Sequence, residues 1–413
     1  MRINNAFVGL TDIASLIGEY TLGFEANGVS VTSAIHKKTH VAQRSTPTYD
    51  LSVVKRPVFR GMRPRALQTY LQDHFYTYKN KIFKKIFNES DVFVYIDSTF
   101  YGDYSDLVKI KKSGKKIISI FTGDDCRVYE AMKQEFNHYG MQVVDYPANY
   151  DFSLSAAEGR LRYLRTCEKY ADLIFSLPNQ AQLALRPYFA WRLPIALNNV
   201  KENPEQRPIP KIVHAPTSRE FKGTKYILSA INRLMQEGIE FEFELVEGLP
   251  NDLALKKYLE SDIIISQVMC PSGGRLALEG LAMGKVVLSK MGFDNGYDEK
   301  FPQPCPIIDV SPSTIYSVLK KVVTDLEFRK KRSHEGRPYI ANHFDSTKVV
   351  ARILQLLEER PSVYDFYPTF FKDHFVAHSQ DALEVYNRWN SYVKNCDWYK
   401  PHVGNYSRSG LFF

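Results

Sequence analysis

Short apolar strands alternate with helical stretches through most of the chain, and no other feature limits its possible folds as much. Strand-like runs fall at 5–10, 29–35, 91–96, 116–121, 141–145 and 172–175, among them Lys116-Ile-Ile-Ser-Ile-Phe121. Helical patterns at 12–27, 66–88, 104–113, 128–138 and 155–170 separate them. Such alternation builds βαβ units and a mostly parallel sheet, and all-apolar strands suit a sheet covered on both faces. The rhythm breaks between 192 and 210, where Pro194, Pro204, Pro208 and Pro210 mark a linker. It resumes with strands at 211–214, 241–246, 262–265 and 285–288 and helices at 223–236, 251–259, 274–283, 312–326 and 346–358. The expectation is therefore α/β, with two doubly wound domains facing each other across a cleft. We place the first at 1–195, the second at 196–365, and an aromatic tail at 366–413 packing back on the body. The length of 413 residues agrees with two domains. Ligands of such sheets bind beyond the carboxyl ends of strands, so chemistry is sought in the loops that follow them.

Charge adds a direction. The net charge is +8, and residues 37–85 hold twelve lysines and arginines against two aspartates. A field of that kind attracts phosphates, anionic glycans or anionic lipid surfaces; the plain alternative is a solvated basic surface. Within it, Lys79-Asn-Lys-Ile-Phe-Lys-Lys-Ile-Phe87 reads as a basic amphipathic helix. Thr46–Pro64 reads as a long basic loop carrying Arg56, Arg60 and Arg63, candidate acceptor-side contacts. The segment has no nucleic-acid-binding motif, so nucleic acid is not an expected partner. No uncharged apolar run approaches the roughly 18 residues of a membrane span. The first residues lack a signal-peptide pattern, and the five cysteines are scattered without CxxC spacing. A cytoplasmic protein is expected, with a peripheral seat on the inner membrane face if the basic segment meets lipid.

Two stretches carry recognisable chemistry. In Lys211-Ile-Val-His-Ala-Pro-Thr-Ser-Arg-Glu-Phe-Lys-Gly-Thr224 a strand ends at His214, a polar loop carries Arg219 and Lys222, and Gly223 opens a helix. A guanidinium fork, an ammonium and helix N–H groups together suit a diphosphate without a metal; an ordinary loop with exposed cations is the alternative. In Ser261–Leu288 a strand ends near Ser266, a loop holds Gln267, Ser272, Gly273 and Gly274, and Glu279 lies in an apolar helix. A carboxylate in that setting needs a partner, which two ribose hydroxyls or a local cation could supply. No Asp-x-Asp occurs, and the histidines lack metal-ligand spacing, so no metal and no cofactor is expected.

Arg219-Glu-Phe-Lys222-Gly223, Gly273-Gly274 and Leu278-Glu279-Gly-Leu-Ala-Met-Gly284-Lys285 together resemble the C-terminal domain of GT-B glycosyltransferases of the retaining family 4 type. The likeness covers about 211–290 and is architectural over 1–200. It implies two Rossmann-like domains and metal-independent transfer of a sugar, with retention, from a nucleotide-diphosphate sugar to a glycan or lipid-linked acceptor. Surface polysaccharide or lipopolysaccharide synthesis is the implied setting. Arg219 and Lys222 would hold the diphosphate and stabilise the leaving group. Glu279 would hold the ribose, Glu247 would lie near the base, and Gly223, Ser272, Gly273 and Gly274 would line the phosphates and sugar. The acid usual eight positions before the ribose-binding glutamate is Pro271 here, and Gln267 is the candidate replacement contact. In the first half Asp125 is the catalytic candidate and Arg127 an anion contact, the alternative being a turn pair. A sugar-nucleotide epimerase and a catalytically silent nucleotide- or glycan-binding protein stay open beside a transferase.

Overall fold

A computed structural model describes residues 2–37, 47–52, 65–143, 151, 153–359, 363–368, 387 and 391. Among them the first half forms β1 (Asn5–Thr11), α1 (Leu16–Ala26), β2 (Ser30–Lys37), β3 (Tyr49–Asp50), α2 (Arg65–Glu89), β4 (Val92–Ile96), α3 (Ser105–Lys112), β5 (Lys116–Ile120), α4 (Tyr129–His138), α5 (Leu154–Tyr170), β6 (Leu173–Ser176) and β7 (Phe189–Ala190). All seven strands are parallel, in the order β3-β2-β1-β4-β5-β6-β7. Every residue of β4 is buried, as a sheet covered on both faces requires. The order reverses between β1 and β4, where the Thr11 and Ser98 hydroxyls hydrogen-bond at 2.7 Å.

The second half contains β8 (Lys211–His214), α6 (Arg219–Lys222), α7 (Thr224–Gln236), β9 (Glu242–Leu245), α8 (Asn251–Leu259), β10 (Ile263–Ile265), α9 (Gly274–Ala282), β11 (Val286–Ser289), β12 (Ile308–Asp309), α10 (Ile315–Thr324), α11 (Leu326–His343) and α12 (Ser346–Glu359). Its sheet is parallel in the order β12-β11-β10-β8-β9, so the reversal lies between β8 and β10. α7 buries Ile227, Ala230, Ile231 and Leu234, one helical face, its isoleucines and leucine each contributing roughly 2 kcal/mol on burial.

Two local expectations change. Residues 141–143 form no strand, and 144–150 lie outside the described residues. Met141 instead joins Met132 and Phe136 in an apolar cluster with Val268, Met269 and Cys270 of the second half. α11 fills a stretch the periodicity passed over, because its buried residues are Arg329, Ser333, Gly336, Tyr339 and Ile340. In α2, Ile82, Phe83 and Ile86 are buried against Phe7, Phe93 and Phe100, while Lys81, Lys84 and Lys85 face solvent. The apolar face of the basic helix is therefore spent inside the first half. No described helix is long and apolar enough to cross a membrane.

The chain passes between the halves twice, and the two passages lie side by side. Ile195 N–H donates to Phe344 O at 2.8 Å, and Ser346 N–H donates to Ile195 O at 3.0 Å. α12, grouped by sequence with the second half, then sets Val349, Val350 and Ile353 against Tyr20 and Phe24 of α1. Between these points the linker is strapped to the second half by three cations, two of them, Lys285 and Arg329, wholly buried. Lys285 Nζ donates to Asn203 O, Arg337 to Val200 O, and Arg329 to Arg207 O and Pro208 O. Of the aromatic tail, Phe366 packs against Tyr188 with ring centroids 5.1 Å apart; nearly all the rest lies outside the described residues.

Candidate functional site

The loops after β8 and β10 meet where the second sheet reverses, the place such sheets reserve for ligands. His214, at the end of β8, is wholly buried. Its Nδ1 lies 2.8 Å from Ile265 O, which can only accept, so Nδ1 carries the proton. Nε2, 2.9 Å from Thr224 Oγ1, then accepts from that hydroxyl. The ring thus ties β10 and the start of α7 to β8. Burial lowers its pKa to about 4. An unfolded chain would take up the proton near pH 6.5, so this stabilisation is complete above that pH and is lost as the pH falls towards 4. Urea unfolding between pH 7 and 4.5 should show a loss of about 2 kcal/mol from this group, and His214→Gln should flatten the slope. An unchanged slope in the variant would place the proton elsewhere.

Ser218 caps α6, its Oγ accepting from Phe221 N–H at 3.3 Å. This sets Arg219 and Lys222 on one short turn. Gly223 ends it at φ 73°, and a Cβ there would stand 2.6 Å from Val268 Cγ2, so only glycine lets the turn lie against the β10 loop. Lys222 Nζ donates to Gln267 Oε1, and burial lowers its pKa to about 8. Gln267 is buried and returns its amide N–H groups to Cys270 O (2.7 Å) and Ser272 O (3.1 Å). It therefore holds both the lysine and the loop. Gly274, at φ 65°, would bring a Cβ within 3.9 Å of Lys222 Nζ, so ammonium and glycine backbone face the same small space. Gly273 lies against the Phe301 ring, and Ser272 Oγ accepts from Gly274 N–H at 3.1 Å. Arg219, more than half exposed, forms a two-pronged ion pair with Glu247 at 2.8 and 2.5 Å. Glu279 is buried on α9 and accepts from Arg275 Nε at 2.7 Å, the local cation that sequence left open as an alternative to ribose.

The facing loops come from the first half. Asp125 accepts from Thr122 N–H and Gly123 N–H, so its carboxylate closes its own turn. Arg127 is buried, donates to Asp124 Oδ1 and Asn179 O at 2.9 Å each, and lies 5.8 Å from the Phe221 ring of α6. Arg127 thereby joins the two sides. Arg56, Arg60 and Arg63 lie outside the described residues.

Several residues that sequence did not single out belong here. Asp97 follows β4 with φ 62°, and burial with Asp125 and Asp124 nearby raises its carboxyl to about 8. Beside Pro271, Asn179 Nδ2 donates to Pro271 O and to Glu299 Oε1, each at 2.5 Å. An acid from a separate segment thus stands next to the position where the family pattern expects one. Glu299 is buried, and burial holds its carboxyl well above the usual range. Neither pair could be found by spacing, since the partners are far apart in the chain. Positive φ at Asp97 has no local sequence signal either. The described residues hold no group of three or more His, Cys, Asp or Glu able to hold a metal ion.

No protein-family model matches the sequence, and no curated protein matches it. Solved structures do. An α-glucosyltransferase, solved with UDP-glucose and DNA containing an abasic site, superposes with a TM-score of 0.56 at 12% identity, covering 86% of this chain and 99% of its own. Sucrose-phosphate synthase from Thermosynechococcus elongatus gives 0.55 at 10% identity, over 87% and 99%. The catalytic domain of starch synthase IV from Arabidopsis thaliana, bound to ADP and acarbose, gives 0.53 at 10%, over 86% and 99%. At such identities the likeness is one of architecture, and the chain has the two-domain α/β fold of the GT-B glycosyltransferases.

Proposed function

We propose that the protein transfers a sugar from a nucleotide-diphosphate sugar to a glycan or lipid-linked acceptor, without a metal. One observation carries the reading: Lys222 Nζ and the Gly274 backbone face each other across the reversal point of the second sheet. Structural neighbours solved with UDP-glucose or ADP support it. In this scheme the bond from the anomeric carbon to the diphosphate breaks, an acceptor hydroxyl forms the new bond, and its proton leaves to base or solvent. Charge grows on the departing diphosphate, where Lys222 and, after exchanging Glu247 for phosphate, Arg219 would stabilise it. Gln267 aims Lys222. Glu279 takes the ribose, with Glu247 near the base; Gly223, Ser272, Gly273 and Gly274 border the phosphates and sugar. Arg127 and the loop closed by Asp125 belong to the facing wall, and Asp97, close to Asp125, is the carboxyl this reading assigns to the acceptor. Arg56, Arg60 and Arg63 remain proposed acceptor contacts. The retaining outcome and a role in surface polysaccharide or lipopolysaccharide synthesis at the inner membrane face belong to the same proposal.

The test is a thermal-shift panel of UDP-, GDP-, ADP-, dTDP- and CMP-linked sugars. A ligand that binds only the folded state raises stability by about 2.7 kcal/mol at one hundred times its Kd. One responder should stand out, and its sugar should pass to glycan or lipid-linked acceptors in the presence of EDTA. No responder would refute the reading. Conversion of donor alone would mark an epimerase, and binding with no turnover on any acceptor a silent binding protein.

A further inference from the structure

The first helix of the first half reaches into the second half through one buried carboxylate. Glu19 of α1 is 5% exposed. Its Oε1 accepts from Arg275 Nη2 at 2.5 Å. Its Oε2 accepts from Ala196 N–H, in the first passage between the halves, and from Ser346 Oγ at 3.2 Å, in the second. Arg275 is the second residue of α9, directly after Gly274. It divides its guanidinium among Glu19, Glu279 (Nε, 2.7 Å) and Pro194 O (Nη1, 3.3 Å). Asp12 adds a further nearby acid, interacting with both Glu19 and Arg275. One side chain therefore touches both passages and, through one cation, the carboxylate assigned to the donor ribose.

Two buried carboxylates share one guanidinium, so neither has its full charge to itself. A carboxylate that shares its cation favours a ligand that brings hydrogen-bond donors to it, as vicinal hydroxyls do. How much of Glu279 a ligand can use depends on how strongly Arg275 is drawn away from it, and Glu19 supplies that pull. We propose that Glu19 is a positioning residue: by sharing Arg275 with Glu279 it sets the affinity for a vicinal diol and couples it to the placement of the two halves. The inference rests on Glu279 being the diol site of the proposed function.

The experiment compares calorimetric affinities of UDP, GDP and ADP with those of their 2′,3′-dideoxy forms, for the unmodified protein and for Glu19→Gln. The amide keeps the shape and an acceptor but gives up the charge, so Arg275 settles on Glu279. The ribo-to-dideoxy preference of whichever nucleotide binds should then fall about tenfold, within the usual range of coupling between sites, while the dideoxy affinity holds. A purely structural role would weaken both forms alike, and that result, or an unchanged preference, would overturn the proposal and leave the diol site standing. No nucleotide binding by the unmodified protein, or no preference for the ribo form, would remove both. If Glu19→Gln does not fold, Glu19→Asp, one methylene shorter, should lose about threefold of the preference on the same grounds, and no loss would count against it.

Discussion

Lys222→Ala should lower sugar transfer about 10³-fold while leaving the fold intact, the scale seen when one preorganised donor to a developing oxyanion is removed. The ammonium donates to Gln267 Oε1 and lies beside Gly274, so its loss empties the centre of the site without opening the core. Its depressed pKa, to about 8, adds a second signature. In the free enzyme the ammonium is charged below that value and neutral above it, so kcat/KM should decline as the pH rises through about 8. Lys222→Arg keeps its charge at every accessible pH and should shift or erase that decline, at a lower ceiling because a planar fork does not fit the space of an ammonium. Calorimetry with the responding nucleotide should show weaker binding in Lys222→Ala. Equal binding and equal turnover would dismiss the diphosphate site.

Glu168→Ala should cost about 3–5 kcal/mol of stability, the usual penalty for leaving a buried charge without its partner. Arg165 and Glu168 are each 1% exposed and paired at 2.7 Å. Glu168 Oε1 also accepts from Leu185 N–H at 2.6 Å and Arg186 N–H at 3.1 Å, while Arg165 donates to Leu183 O at 2.5 Å. The pair therefore shapes the segment that starts near Asn179, the residue that grips Pro271 and Glu299. Urea denaturation measures the loss. Glu168→Gln, which keeps an acceptor, should lose less. Replacing both partners, Arg165→Met with Glu168→Leu, should recover only part of the stability: neither charge then has to be desolvated, but the Leu185 and Arg186 N–H groups lose their acceptor. A single alanine variant as stable as the parent would mean that water or another group already serves the arginine.

The fold was readable where burial follows a period. The β4 and β5 runs announced covered strands, and α7 and α10 showed their apolar faces at helical spacing. α11 escaped because its inner face is arginine, serine, glycine and tyrosine, which carry no hydrophobic rhythm. In the site, Arg219, Lys222 and the two glycines stood out because they follow closely on strands, although Arg219 and Lys222 form the short helix α6 where the sequence suggested a loop. Glu19 with Arg275, and Asn179 with Glu299, did not, since their meaning arises from contacts across 256 and 120 positions. Glu247 and Glu279 were marked for a nucleotide, yet each also has an arginine within reach, and spacing alone cannot rank such partners.

The strapping of 200–208 onto the second half has a mechanical consequence. Three cations weld the linker to one body, so its length gives the halves no slack. Any swing of one against the other must bend the backbone near 195 and near 345, two strands of a single pivot. The pair then turns like a door on paired pins and does not drift like two beads on a string.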